Sequence, residues 1–170
     1  MASKIIPNIS VDCVVFGYDG TTKSLNVLLI KRYLESKETR EILVNDYVLT
    51  GYHSLENETM DETATRVLRE LTGLDNLYKK QFKVFGDPNR LTNEKDIIWV
   101  ESENFNPRTI TIAYYFLVKN HEVDIEKNSH QPQWFPVNNL PELGFDHKKI
   151  ITEAYADLKA KSLSEPIIFE

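Results

Sequence analysis

Gly51-Tyr52-His53-Ser54-Leu55-Glu56-Asn57-Glu58-Thr59-Met60-Asp61-Glu62-Thr63-Ala64-Thr65-Arg66-Val67-Leu68-Arg69-Glu70-Leu71-Thr72-Gly73-Leu74 is the stretch whose reading decides the fold. Met60, Ala64, Val67, Leu68 and Leu71 recur at helical spacing and form a broad apolar stripe. A helix is therefore predicted over Met60 to Thr72. Thr59 or its polar neighbours mark the start, Asp61 and Glu62 sit in the first turn where acids suit the helix dipole, and Gly73 supplies a left-handed stop. On its own, this is an amphipathic helix packed on a sheet.

Working outward, Val11 to Phe16 is apolar and β-branched, Gly17-Tyr18-Asp19-Gly20 is a turn, and Leu25 to Arg32 resumes strand character. A polar stretch, Glu35 to Glu41, opens a long addition that runs to Asp46 ahead of Tyr47-Val48-Leu49, and Thr50-Gly51-Tyr52 reads as a turn before the helix. Phe82 to Phe85 is a short strand candidate, Gly86 to Arg90 a charged turn, and Thr109 to Val118 a long strand. Between these two lies Leu91 to Asn106, in which Ile97-Ile98-Trp99-Val100 reads as an extra hairpin strand or a mobile flap. Trp134 to Val137 is a late strand, and a second helix is expected from Lys148 to Lys161. Strands outnumber helices without regular βαβ alternation, so the class is α+β.

A chain of 170 residues with 41% hydrophobic residues is the size of one domain with one core. The formal charge of −6, with no dense basic run, makes these residues a poor match to the phosphates of a duplex. Cys13 lies inside an apolar run and reads as a buried strand residue. Met1-Ala2-Ser3-Lys4 opens no signal-peptide core and no stretch reaches bilayer-spanning length, so no membrane association is expected and the expected compartment is the cytoplasm.

Glu58, Arg66, Glu70, Gly73 and Leu74 fall at the spacings of the Nudix box, which this segment resembles: Gly, five residues, Glu, seven residues, Arg-Glu, an aliphatic, any residue, Glu-Glu, any residue, Gly, an aliphatic. The resemblance implies a Nudix fold, a mixed β-sheet sandwiched between helices (α/β/α). In that family, helical glutamates hold Mg²⁺ against a substrate diphosphate, since a hard cation takes oxygen ligands. This chain departs from the pattern. The opening glycine aligns with Tyr52, with Gly51 just before it, the glutamate after the arginine is Val67, and the second paired glutamate is Leu71. Glu70 alone remains of the helical triad, so no metal is expected, and if one bound it would use Glu70 with Glu58, Glu101 or Glu103. Residues four apart share a helical face, so hydrocarbon is expected where the metal would sit. Arg66 is expected to pair with Glu58 or Glu70 and hold the loop.

Beyond the box, Leu28 to Arg32, Leu71 to Tyr78, Phe85-Gly86-Asp87, Ile112 to Tyr115, Leu140-Pro141 and Phe145 to Ile150 resemble the Nudix-related transcriptional regulators (NrtR/AraR-like). The resemblance implies an effector-binding domain over residues 1–162, with 163–170 beginning a linker to a C-terminal winged-helix DNA-binding domain outside this sequence. A chain that ends naturally in a strand is the other reading of Glu165 to Phe169. A homodimer and a small-molecule effector, a pentose such as arabinose or an ADP-ribose-type nucleotide, are implied as partners. A sensor must release its effector unchanged, so loss of metal ligands suits it, and no cofactor is expected.

The ligand-binding candidates are Lys31 and Arg32, which can contact phosphate or sugar oxygens, Tyr52 and His53 at the altered turn, Asp87 and Arg90 after a strand end, and Arg108 and Tyr114 flanking the insert. Plain structural roles compete at several of these. Arg32 and Arg90 are otherwise solvated surface charges, Tyr114 a core aromatic, and Asp146 with His147 a cap on the last helix. Trp99 and Trp134 read as packing residues, and His53 without a partner is weak evidence for a general base. A divergent Mg²⁺-dependent hydrolase of nucleoside diphosphate sugars such as ADP-ribose is the alternative function. A dimerisation module with a pocket filled by Tyr52, His53 and Trp99 is a third.

Overall fold

The computed structural model describes residues 8–119 and 130–164. The expectations for Met1 to Lys4 and for 165–170 lie outside these residues. Ten elements follow in order: β1 (Asn8–Asp19), β2 (Ser24–Glu35), β3 (Ile42–Val48), β4 (Thr50–His53), α1 (Met60–Thr72), β5 (Tyr78–Phe85), α2 (Glu94–Ser102), β6 (Thr109–Lys119), β7 (Gln133–Pro136) and α3 (His147–Ser162). The architecture is α+β, with helices on both faces of a mixed sheet.

The sheet runs β3-β2-β1-β6-β5, with β4 added beside β1 and β7 beside β2. Only the β1–β6 pairing among the named strands is parallel, with Val14 opposite Tyr115. β1 is buried on both faces, which is why its sequence is a continuous apolar run and not an alternating one. Val11, Cys13 and Val15 pack toward Ala64, Val67 and Leu68 of α1. Val14 and Phe16 pack toward Ile150, Ile151, Ala154 and Leu158 of α3. Each Val, Leu, Ile or Phe among them contributes roughly 1.5–3 kcal/mol when fully buried. Cys13 is fully buried, and burial pushes its thiol well above the ordinary range, so it is a core residue.

α1 has the predicted bounds and caps. The Thr59 hydroxyl accepts from the Glu62 N–H while the Glu62 carboxylate accepts from the Thr59 N–H, a reciprocal capping box. Gly73 closes the helix at φ 76°, a left-handed conformation that costs glycine least, and its N–H donates to Arg69 O.

Four local expectations are corrected. Gly17-Tyr18-Asp19 is not a turn but ends β1 in pairing with Ser24 to Asn26, so that the turn begins at Gly20. Thr50-Gly51-Tyr52 is strand β4, not a turn, because its backbone pairs with β1. The addition Glu35 to Asp46 contains the start of β3, which follows directly on the polar stretch ending at Glu41. Ile97-Ile98-Trp99-Val100 lies in a helix, α2, whose start is capped by the Asn93 side chain accepting from the Lys95 N–H. Among the described residues, no helix is long and apolar enough to cross a membrane.

Candidate functional site

β1 changes partner along one edge. Its second half pairs with β2 at Phe16 to Asp19, and its first half pairs with β4 at Ser10 to Cys13. β2 meanwhile departs to pair with β3 over Ile30 to Glu35. Between the separating strands lies a cavity of about 380 Å³, within the range of small-molecule sites. Asp12 of β1, Ile30 and Arg32 of β2, Val48 at the end of β3 and Gly51 of β4 form its floor, and His147 contributes from the start of α3. Trp99, Val100, Glu103 and Phe105 from the α2 segment form a wall.

Two buried charges dominate this cavity. Arg32 is 1% exposed, donating from Nε and Nη2 to the two oxygens of Asp46 at 2.7 Å each and from Nη2 to Asp96 Oδ1 at 2.7 Å. The Phe145 ring lies 4.5 Å from the guanidinium carbon and the Trp99 ring 5.5 Å. Nη1 is buried and has no hydrogen-bond partner among the described residues. An unmet buried donor of this kind costs about 1–3 kcal/mol, so the cavity wall carries an uncompensated demand for an acceptor.

Asp12 is the second charge. Thr111 Oγ1 donates to its Oδ2 at 2.7 Å, and His147 Nε2 stands 3.5 Å from its Oδ1. Burial alone would raise this carboxyl, but His147, Thr111 and Arg90 together outweigh it and hold Asp12 below the usual carboxylate range. The Leu49 N–H donates to His147 Nδ1 at 2.9 Å, which leaves Nε2 to carry the ring proton toward Asp12. Asp12 is thus an ionised acceptor held in a fixed orientation.

Two glycines make room for these groups. A Cβ at Gly51 would lie 2.2 Å from Asp12 Oδ1, and one at Gly144 would lie 2.3 Å from Arg32 Nη2. Gly51 therefore serves close approach of β4 to Asp12 rather than a turn. Nearby, Arg90 donates from Nε and Nη2 to both oxygens of Asp146, at 3.0 and 2.8 Å.

The retained box residues form a clip. Arg66 Nε and Nη2 donate to the two Glu58 oxygens, Nη1 donates to Glu70 at 3.2 Å, and Nη2 also reaches His53 O at 3.0 Å. Glu58 further accepts from the Leu55 N–H and the Thr63 hydroxyl. The Arg66 guanidinium is the main reason that the Glu58 carboxyl is lowered to about 2. A depressed carboxylate stabilises the fold fully above its unfolded value near 4.3 and loses that contribution as pH falls through the folded one. Glu58→Gln is therefore expected to flatten the loss of stability between about pH 4.5 and pH 2 in acid titrations followed by circular dichroism. An unchanged acid limb would remove Glu58 from this role.

These residues do not fit a resident Mg²⁺. Val67 is fully buried in the core beneath α1, Leu71 packs beside it and reaches the cavity, and Glu70 is engaged by Arg66. No group of three or more His, Cys, Asp or Glu able to hold a metal occurs among the described residues.

Of the expected ligand contacts, Lys31, Arg32, Tyr52, His53 and Arg90 all line the cavity. Asp87, Arg108 and Tyr114 do not. Asp87 Oδ1 accepts from the Asn89 N–H within its own turn, and Arg108 Nη2 donates to Gly86 O at 3.0 Å. Tyr114 is buried on the α1 side of the sheet, where its hydroxyl donates to Asp61 and lies 3.0 Å from the Gln81 side-chain amide. Arg32 and Arg90 are not solvated surface charges, because Arg32 is clamped by the buried Asp46 and Asp96 and Arg90 by the partly buried Asp146. The capping role of Asp146 is also corrected, since its side chain makes no cap hydrogen bond and its carboxylate holds Arg90. His147 faces Asp12. His53 stacks against Phe105 with ring centres 3.9 Å apart, and burial lowers its pKa. Tyr52, His53 and Trp99 are walls of the cavity rather than its filling. Asp12, Asp46, Asp96 and Phe145 join the site without being among the sequence candidates, and the lone acid inside the apolar run Val11 to Phe16 is the available signal for the first.

No family model matches the chain. An ADP-ribose pyrophosphatase from Methanocaldococcus jannaschii is 28% identical over 149 residues, 86% of this chain and 72% of that one. A MutT/Nudix family protein from Listeria innocua superposes with a TM-score of 0.73 at 24% identity, over 95% of this chain and all of that one. NrtR from Shewanella oneidensis superposes with a TM-score of 0.67 at 24% identity, over 90% of this chain and 63% of that one. The Nudix domain of the same NrtR has been solved with ADP ribose and superposes at 0.62, with 24% identity over 88% of this chain and 87% of that domain. The chain has the Nudix fold.

Proposed function

We propose that this chain is a ligand-sensing Nudix-fold domain of a transcription regulator that binds its effector without metal and without hydrolysing it. The observation that carries the reading is the convergence of Asp12, an ionised acceptor, and Arg32, whose Nη1 lacks an acceptor, on an open cavity beside a box with hydrocarbon at two of its metal-ligand positions.

Charge favours a neutral ligand. Two guanidinium groups, Arg32 and Arg90, face four carboxylates, Asp12, Asp46, Asp96 and Asp146, in and behind the cavity wall. Lys31 and Glu103 at the wall offset each other. A diphosphate brought here without a cation meets net negative charge, whereas a sugar offers hydroxyls that donate to Asp12 and accept from Arg32. Tyr52, Trp99 and Phe105 supply apolar faces for its C–H groups. A pentose such as arabinose is therefore the preferred effector class. The second reading is an ADP-ribose-type effector, favoured by the likeness to the NrtR domain solved with ADP ribose.

Calorimetry of the protein with L-arabinose, other pentoses and ADP-ribose, free of metal, tests the reading. Heat is expected from a pentose, and Asp12→Asn is expected to weaken its binding roughly 10- to 150-fold, the worth of a charged hydrogen bond. No heat from any of these ligands would sink the effector class. Release of AMP from ADP-ribose with Mg²⁺, abolished by Glu70→Gln, would instead establish a hydrolase. DNA binding and dimerisation in such a regulator belong to the same proposal. The chain spans 63% of the NrtR chain.

A further inference from the structure

α2 buries only one of its residues, and that residue is charged. Asp96 is 5% exposed, while Ile97, Ile98, Trp99 and Val100 are only partly buried. A helix whose apolar side chains stay half in solvent while its acid is buried is not held by ordinary core packing. Trp99 and Val100 instead line the cavity, so their unburied surface faces the space that a ligand would fill.

Asp96 is also surplus to the ion pair it joins. Asp46 already meets Arg32 with two hydrogen bonds and neutralises it. What Asp96 adds is a junction: its Oδ1 accepts from Arg32 Nη2 at 2.7 Å and from the Phe145 N–H at 3.0 Å. Phe145 has φ 56°, a left-handed conformation that a bulky residue adopts only where its surroundings impose it. One carboxylate oxygen thus ties α2, the guanidinium in the cavity wall and the strained residue two positions before His147 at the start of α3.

We propose that Asp96 is a positioning residue that couples occupancy of the cavity to the docking of α2. A ligand held between Asp12, Arg32 and the inner face of α2 makes more contacts when α2 is docked, so it favours the docked state by that difference. Phe145 carries the same event to the start of α3. The inference rests on the ligand-sensing reading of the cavity.

Hydrogen exchange of the whole chain, alone and with L-arabinose or ADP-ribose, tests it on Asp96→Ala, on the milder Asp96→Asn and on Lys95→Ala, which removes only the exposed Lys95–Glu142 pair. Without ligand, Asp96→Ala is expected to speed exchange about tenfold over 91–106 and to leave β1 and β6 protected. Whichever probe binds the wild type is expected to slow exchange over 91–106 and to bind Asp96→Ala roughly 5- to 150-fold more weakly. Asp96→Asn is expected to fall between, and Lys95→Ala to match the wild type. A probe that binds normally but leaves 91–106 unprotected overturns the coupling while sparing the sensing reading. Unchanged exchange and affinity in Asp96→Ala also overturn it. If neither probe binds the wild type, the sensing reading and the coupling fall together. Should Asp96→Ala not fold, Asp96→Asn gives the same comparison.

Discussion

Replacing Arg32 with methionine is expected to destabilise the protein by about 3–5 kcal/mol in urea unfolding, the usual cost of stranding a buried charge. Asp46 and Asp96 are 3% and 5% exposed, and both would lose the cation that offsets their desolvation. Methionine restores much of the packing volume, so the effect isolates charge from cavity formation. Arg32→Lys should rescue little, because an ammonium cannot match the paired bonds to Asp46 and also reach Asp96 with the same fork geometry. Neutralising the stranded partners, in Arg32→Met with Asp46→Asn and Asp96→Asn, should recover part of the loss and weaken ligand binding further. A loss below about 1 kcal/mol for Arg32→Met would mean that water reaches the cluster and that the triad is not a buried one.

What the sequence disclosed depended on how far apart the cooperating residues lie. α1 was legible to its terminal residues because its stripe, capping box and Gly73 stop are all local signals. The Arg66 clip was legible for the same reason, since Glu58 and Glu70 sit within a few turns of chain. The cavity was legible only in part. Arg32 was recognised as a candidate, but its partners are 14 and 64 residues away, and nothing in a single sequence links such positions. Asp146 carries the usual signal for a helix cap, yet Arg90, 56 residues distant, claims its carboxylate. α2 was read as strand or flap because Ile97 to Val100 is a short apolar run without helical period, and short runs do not distinguish helix from strand. The Asn93 cap and first-turn acids Glu94 and Asp96 were the local clue. Gly51 misled most simply. A glycine before a helix suggests a turn, whereas here it keeps a strand close to a carboxylate.

Attempts to rebuild the box by restoring its glutamates are expected to fail at one position and be tolerated at the other. Sequence spacing places Val67 and Leu71 on a common helical face, which suggests that both look into the vacated metal site. Their surroundings differ. Val67 is 0% exposed and packs among Val11, Cys13 and Val15 beneath the helix, while Leu71 is partly exposed and reaches the cavity. Val67→Glu would drive a carboxyl into hydrocarbon without a partner, at a cost on the order of 3–5 kcal/mol, and would protonate rather than bind metal at neutral pH. Leu71→Glu can turn toward water and should cost less than about 1.5 kcal/mol. The two unfolding curves measure this contrast directly. Equal tolerance of both substitutions, with the double variant taking up Mg²⁺ in calorimetry, would show that position 67 opens onto the site and is not closed off by the core. The expected inequality follows from packing: Val67 fills core space beneath the helix, where a carboxylate has neither room nor partner, while Glu58, Arg66 and Glu70 clip the loop beside the cavity.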